Sequence, residues 1–151
     1  EPMSERTIAA LRAAGAVDAR SVIREPWSGP PSEGAFEWRL TARWTEMDGN
    51  GHINQKWYGI WMEEARCMAC EAGGYGVGAP LAGGRTRDVS ATAPPTRMQI
   101  DYRGQARAGD ALVVLTWWDG EAFCFEVARD ETARELLATG RTWCEKTRTK
   151  M

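Results

Sequence analysis

The sequence carries one histidine, His52, in 151 residues, so zinc sites built on several imidazoles are excluded. Its four cysteines, Cys67, Cys70, Cys124 and Cys144, contain a single close pair, where a four-thiolate zinc site shows two. That pair falls inside a helical stretch, not at a helix start where thiolates are stabilised, so free thiols are expected and no metal is implied. No apolar run approaches the roughly 18 residues that suggest a membrane span. The stretch from Ser4 to Ala16 mixes Glu5, Arg6 and Arg12 among its alanines, unlike a secretory signal. Excess charge is also missing: 19 basic against 21 acidic residues give a net charge of −2, without the basic footprint of a nucleic-acid binder. These absences predict a cytoplasmic chain with neither a nucleic-acid nor a membrane partner.

What is present suffices for a real core. A chain this long buries roughly 70% of the surface that its unfolded form exposes, and 43% of its residues are apolar. Eight tryptophans suit a sheet with large, half-buried side chains. Residues 4–15 are Ala-rich, with Ile8 and Leu11 on one helical face and Ser4 as a candidate cap. The stretch from Glu25 to Gly34 holds three prolines and two glycines, which is linker chemistry. Residues 1–33 are therefore expected to be a helical arm and linker, and residues 34–151 the main domain.

From Phe36 the pattern has period two, with Phe36, Trp38, Leu40, Ala42 and Trp44 on one face of a strand. Turn formers Asp48-Gly49-Asn50-Gly51 end it. A helix is predicted from Asn54 to Ala72, with Asn54 as cap and Trp57, Tyr58, Trp61, Met62, Ala65, Met68 and Ala69 as its apolar stripe. The segment from Gly73 to Gly84 reads as loop. Strand-like segments follow at 87–93, 98–103, 111–118, 122–130 and 135–146, with Asp119-Gly120 as a two-residue hairpin signal. Such short connections leave no room for helical crossovers, so the sheet should be antiparallel, an α+β layout with one helix on one sheet face.

The run Arg43-Trp44-Thr45-Glu46-Met47-Asp48-Gly49-Asn50-Gly51-His52-Ile53-Asn54, followed by Tyr58, Trp61 and Glu63-Glu64-Ala65-Arg66, resembles the signature of hotdog-fold thioesterases. The similarity is to the 4-hydroxybenzoyl-CoA thioesterase-like group and to acyl-carrier-protein thioesterases. Asp48, Asn50, His52 and Asn54 fall on the motif positions without a gap. The segment from Ile100 to Arg103, through Gly109-Asp110, is similar to a later strand and turn of that family. Two positions depart from the pattern: Glu46 stands where Asp is frequent, and Gln55 where a second Asn is frequent.

The resemblance implies a hotdog fold, with an antiparallel sheet wrapped around one long central helix. It also implies hydrolysis of an acyl-CoA or acyl-carrier-protein thioester, without a cofactor, by a homodimer or tetramer whose sites lie between subunits. Within it, Asp48 acts as nucleophile or general base, and the backbone N–H at Gln55 polarises the thioester carbonyl. Asn50 and His52 bind water or the carbonyl, Glu64 is a second carboxylate, and Tyr58 and Trp61 line the substrate tunnel or the core. Glu63, next to Glu64, is expected to face water. Plainer roles compete at several positions: Asx turns for Asp48 and Asn50, a structural role for His52, a solvated charge for Glu64. A dehydratase, isomerase or cyclase acting on a thioester, and a non-catalytic acyl-binding module, are the rival functions.

Other motifs fail on detail. Asp48 to Gly59 starts like a calcium loop, but its sixth position is Ile53 and its twelfth Gly59, where Gly and Glu are needed. The glycines at 74, 76 and 78 follow a helix and lack Gly-Lys-Ser/Thr, so no phosphate-cradling loop is supported. No Gly-x-Ser-x-Gly elbow is present.

Overall fold

The computed structural model describes residues 27, 29–72, 80–81, 84–85, 94–131 and 133–144. In chain order they form β1 (Phe36–Thr41), helix α1 (Lys56–Glu71), the short pair β2 (Pro80–Leu81) and β3 (Gly84–Arg85), β4 (Pro95–Tyr102), β5 (Ala111–Trp118), β6 (Phe123–Arg129) and β7 (Leu136–Cys144). Five strands build one antiparallel sheet in the order β1-β5-β6-β7-β4, and α1 packs across one face, chiefly on β1, β5 and β6. This is the single-helix, antiparallel α+β arrangement expected from the sequence. The predicted helix at 4–15 and strand at 87–93 lie outside the described residues, and β2–β3 pair within and just beyond the segment read as loop.

Alternation along the strands decides what meets the helix. Leu112 and Val114 of β5, Phe123, Phe125 and Val127 of β6, and Leu137 of β7 join one buried cluster with Tyr58, Trp61, Met62, Ala65 and Ala69 of α1. Each large side chain in it contributes on the order of 1.5–3 kcal/mol of apolar burial. Gly140 of β7 lies against the Met62 side chain of α1: a Cβ there would lie 2.6 Å from Met62 Sδ and 3.3 Å from the Gln99 carbonyl.

The opposite sheet face carries a second cluster of Val113, Leu115, Trp117, Cys124 and Ala128. Trp27 covers it, with its ring centroid 5.4 Å from that of Trp117 and its Nε1–H donating to Glu126 Oε1 at 3.0 Å. A residue from the Pro/Gly-rich stretch thus docks on the sheet, because one indole supplies both apolar area and a donor for an otherwise buried carboxylate.

Three local expectations are corrected. The first strand ends at Thr41, and Trp44, placed on its core face by period two, lies in a 3-10 turn and is 79% exposed. The strand stops there because Ala42 turns into the loop before β5, donating to the Asp110 carbonyl and accepting from Gly109 N–H. The β5–β6 link spans residues 119–122, since the Asp119 carboxylate gathers the N–H groups of both Glu121 and Ala122, at 2.9 and 2.8 Å. On α1, Glu64 is the exposed carboxylate and Glu63 the half-buried one, paired with a fully buried Arg66 one turn on.

Candidate active site

The chain between β1 and α1 must reverse within a few residues, and Glu46 organises that reversal. Its carboxylate is 1% exposed and accepts from the Arg43 backbone N–H at 2.8 Å and from the Arg43 guanidinium at 2.9 and 2.7 Å. Its carbonyl accepts the Asn54 N–H at 2.9 Å. Met47 and Ile53 form an isolated bridge, and Asp48 N–H donates to the His52 carbonyl at 2.8 Å. Residues 48–52 are pinched into a tight loop in which Gly51 takes a φ of +78°, a conformation glycine adopts at little cost.

Within that loop Asp48 Oδ1 accepts the Asn50 N–H at 2.8 Å, the Asx turn that a Gly-rich turn permits. Its other oxygen, Oδ2, has no hydrogen-bond partner among the described residues. One carboxylate oxygen is thereby anchored and the other left available.

At the helix start Asn54 Oδ1 accepts the Lys56 N–H at 3.1 Å, and the Asn54 and Gln55 carbonyls accept from Trp57 and Tyr58, at 3.0 and 3.2 Å. The Gln55 N–H itself donates to no described group. It is a free donor at the positive end of a 16-residue helix, where developing negative charge is favoured.

These groups share one cavity of about 880 Å³. Asp48, Asn50, His52, Gln55 and Tyr58 line it together with Ile53, Asn54, Tyr102, Arg103, Gly104 and Gln105. Tyr58 is 2% exposed; its Oη accepts the Ala106 N–H at 2.9 Å, and its own proton has no acceptor among the described residues. Tyr102 stands edge-on to it at 5.6 Å and donates to the Gln55 carbonyl at 3.1 Å. Burial raises the pKa of both phenols.

Two of the expected site residues stand apart from this cavity. Trp61 is a core residue behind Tyr58, 1% exposed, with ring centroids 5.3 Å apart. Glu64 lies on the outer face of α1, in an apolar groove of about 510 Å³ with Lys56, Gly59, Ile60, Glu63 and Cys67. Tyr102 and Gln105 were not singled out from sequence. For Tyr102 the signal is its period-two spacing from Ile100, which packs against the helix-side core; Gln105 carries none. Among the described residues no cluster of three or more His, Cys, Asp or Glu side chains is arranged to hold a metal.

Comparison with known proteins follows the same lines. The sequence model of the thioesterase-like superfamily matches residues 42–145. No curated protein sequence matches the chain. Among solved structures, a 1,4-dihydroxy-2-naphthoyl-CoA thioesterase from Synechocystis aligns with a TM-score of 0.55 at 21% identity, over 75% of this chain and 83% of that one. A predicted thioesterase from Bacillus stearothermophilus gives 0.52 at 23% identity, over 74% and 79%. An acyl-ACP thioesterase from Bacteroides thetaiotaomicron gives 0.56 at 18% identity, over 86% of this chain and 45% of that one.

Proposed function

Because this chain belongs to the thioesterase-like superfamily, we propose that it hydrolyses an acyl thioester borne on coenzyme A or a carrier protein. One observation carries the reading: Asp48, with one unbonded carboxylate oxygen, and Gln55, with an unbonded N–H, line the same cavity. Hydrolysis needs an activated oxygen nucleophile at the carbonyl carbon and a donor for the oxygen on which charge develops. A donor of the second kind typically contributes a factor of about 100 to 1,000 in rate.

The Gln55 N–H binds the thioester oxygen while a nucleophile adds to the carbon, either water that gives its proton to Asp48 or the Asp48 carboxylate itself. The tetrahedral species collapses with rupture of the C–S bond, and the electron pair leaves on sulfur, which takes up a proton. If Asp48 has attacked, water then opens the mixed anhydride, and both routes release a free acid and a thiol. Tyr58 O–H, His52 and Asn50 are polar partners for the bound carbonyl or water, and Trp61 holds the Tyr58 ring from behind.

Glu64 fits this reading through a second copy of the chain. One side of β4 pairs with β7, while its other edge is unpaired among the described residues; Met98 is exposed on this strand, and Gly59 of the groove lies beside Met98 and Ile100. A two-fold pair along such an edge satisfies its backbone groups and covers the groove that holds Glu64. Light scattering at twice the chain mass supports the pair, and a monomer at micromolar concentration removes Glu64 from the site.

The direct test is chromatographic product analysis on a panel of acyl-CoA and acyl-carrier-protein thioesters. Free acid accumulating with thiol supports the reading. A modified acyl group still attached to its thiol favours a dehydratase or isomerase, and a thioester bound but unchanged favours an acyl-binding module.

A further inference from the structure

A second cleft, of about 280 Å³, adjoins the cavity: His52 and Gln105 line both. Its other lining residues are Arg107, Asp110 and Arg129, so every side chain in it is polar or charged. An acyl chain laid there would strip these groups of water and return no hydrogen bond. The cleft therefore suits the thiol side of a thioester, not its acyl side.

The charge around it leans positive by one: Arg103, Arg107 and Arg129 stand against Asp110 and Glu135. Arg129 pairs with Asp110 and, at 2.7 Å, with Glu135, and it donates to the Gln105 carbonyl at 2.6 Å. Asp110 also accepts the Arg107 backbone N–H at 2.8 Å, so its carboxylate is engaged twice. The Arg107 guanidinium is exposed and has no ion pair among the described residues, and the same holds for Arg103 on the neighbouring cavity wall. Two guanidiniums outside any ion pair among the described residues, on one short loop next to an all-polar cleft, form a seat for an anion that a guanidinium can grip with two N–H groups.

We infer that this cleft receives the phosphopantetheine arm of the substrate, with Arg107 binding its phosphate and Arg103 adding to the field. The inference rests on the thioesterase reading for the identity of the ligand. Coenzyme A and a carrier protein present the same arm: two amides, for which Gln105 and His52 offer partners, and then a phosphate.

Binding and turnover are measured separately, so that the two ideas fail separately. Calorimetry compares non-hydrolysable S-alkyl thioethers of pantetheine, phosphopantetheine and coenzyme A on the wild type, Arg107→Ala and Arg107→Lys. The wild type is expected to bind the phosphopantetheine thioether at least about tenfold more tightly than the pantetheine one, roughly 1.4 kcal/mol. Arg107→Ala should erase most of that preference, Arg107→Lys should keep part of it, and neither should change affinity for the pantetheine thioether. No phosphate preference in the wild type, a preference that survives in Arg107→Ala, or equal loss on both ligands each overturns the inference. A further gain for the coenzyme A thioether identifies coenzyme A as the source of the arm, and equal affinity points to the carrier protein. Phosphate preference without hydrolysis of the matching thioesters refutes the thioesterase reading and leaves the phosphate contact standing.

Discussion

Replacing Tyr58 with Phe removes one oxygen and leaves the ring, its contact with Trp61 and its place in the core intact. The cost comes from a single group. Ala106 is fully buried, and its N–H donates to Tyr58 Oη at 2.9 Å, so in the variant a buried donor loses its only partner. An orphaned buried N–H costs about 1–3 kcal/mol. For a chain of this length each kcal/mol moves the midpoint by roughly 2–4 °C, so Tm should fall by about 2–12 °C. Tyr102→Phe is the matched control: it also removes a phenol hydroxyl, but from an exposed side chain whose acceptor, the Gln55 carbonyl, still holds the Tyr58 N–H. Its effect should stay within about 0.5 kcal/mol. Urea and thermal unfolding followed by circular dichroism read both variants. Should Tyr58→Phe cost no more than Tyr102→Phe, the Ala106 N–H is reached by water through the cavity and the argument from burial is wrong.

Other perturbations read different parts of the molecule. Gly140→Ala pushes a methyl against Met62 Sδ and should cost about 1–3 kcal/mol; combined with Met62→Ala it should cost less than the two singles added, and strict additivity would show that the helix does not touch the sheet there. Asp119 is partly desolvated, which alone would raise its pKa. Hydrogen bonds from Ala122, Glu121 and Cys124, together with nearby Arg141, outweigh this and hold it below the ordinary value. Its stabilising share is therefore complete above the unfolded Asp pKa of about 3.9 and is lost as pH falls through the lower folded value. The stability gap between wild type and Asp119→Asn should shrink with acidification, and a gap constant from pH 6 to pH 2 would refute the assignment. Burial pushes the thiols of Cys70 and Cys124 up to about 11 and about 12, so alkylation at pH 8 followed by mass spectrometry should leave both unmodified until urea unfolds the chain; rapid labelling of the native protein would contradict their placement.

Much of the fold was legible because local and long-range signals agreed. The strands β5 to β7 carry apolar side chains that serve one face or the other, and α1 has a stripe whose spacing matches its buried side. Trp44 misled because a two-residue period records what a strand would bury, not where the strand stops. The stop is set by the Glu46 carboxylate, whose partners are three residues away, and by the loop before β5, about 65 residues further on. The exchange of Glu63 and Glu64 has a similar source. A helical wheel puts Arg66 in the apolar stripe, and its burial draws in Glu63, but an arginine is not expected inside without a partner. Trp27 was hidden in linker composition, and only the exposed second face of the sheet explains why it docks. The loop from Asp48 to Gln55 was readable as a motif because contiguous residues build it. Tyr102, Gln105 and Arg107 reach the same place from a segment about 50 residues later, which periodicity cannot show.

Asp48→Asn tests the central claim most directly. The substitution is nearly isosteric, and an amide oxygen can still accept the Asn50 N–H that fixes the turn, so the fold and the cavity should persist while the base or nucleophile is gone. On whichever acyl thioester the wild type hydrolyses fastest, kcat/KM for release of free acid should fall at least about 100-fold, roughly 2.7 kcal/mol of barrier, with an unchanged unfolding midpoint. Wild-type turnover by a correctly folded Asp48→Asn protein would contradict the account and move the chemistry away from the start of α1.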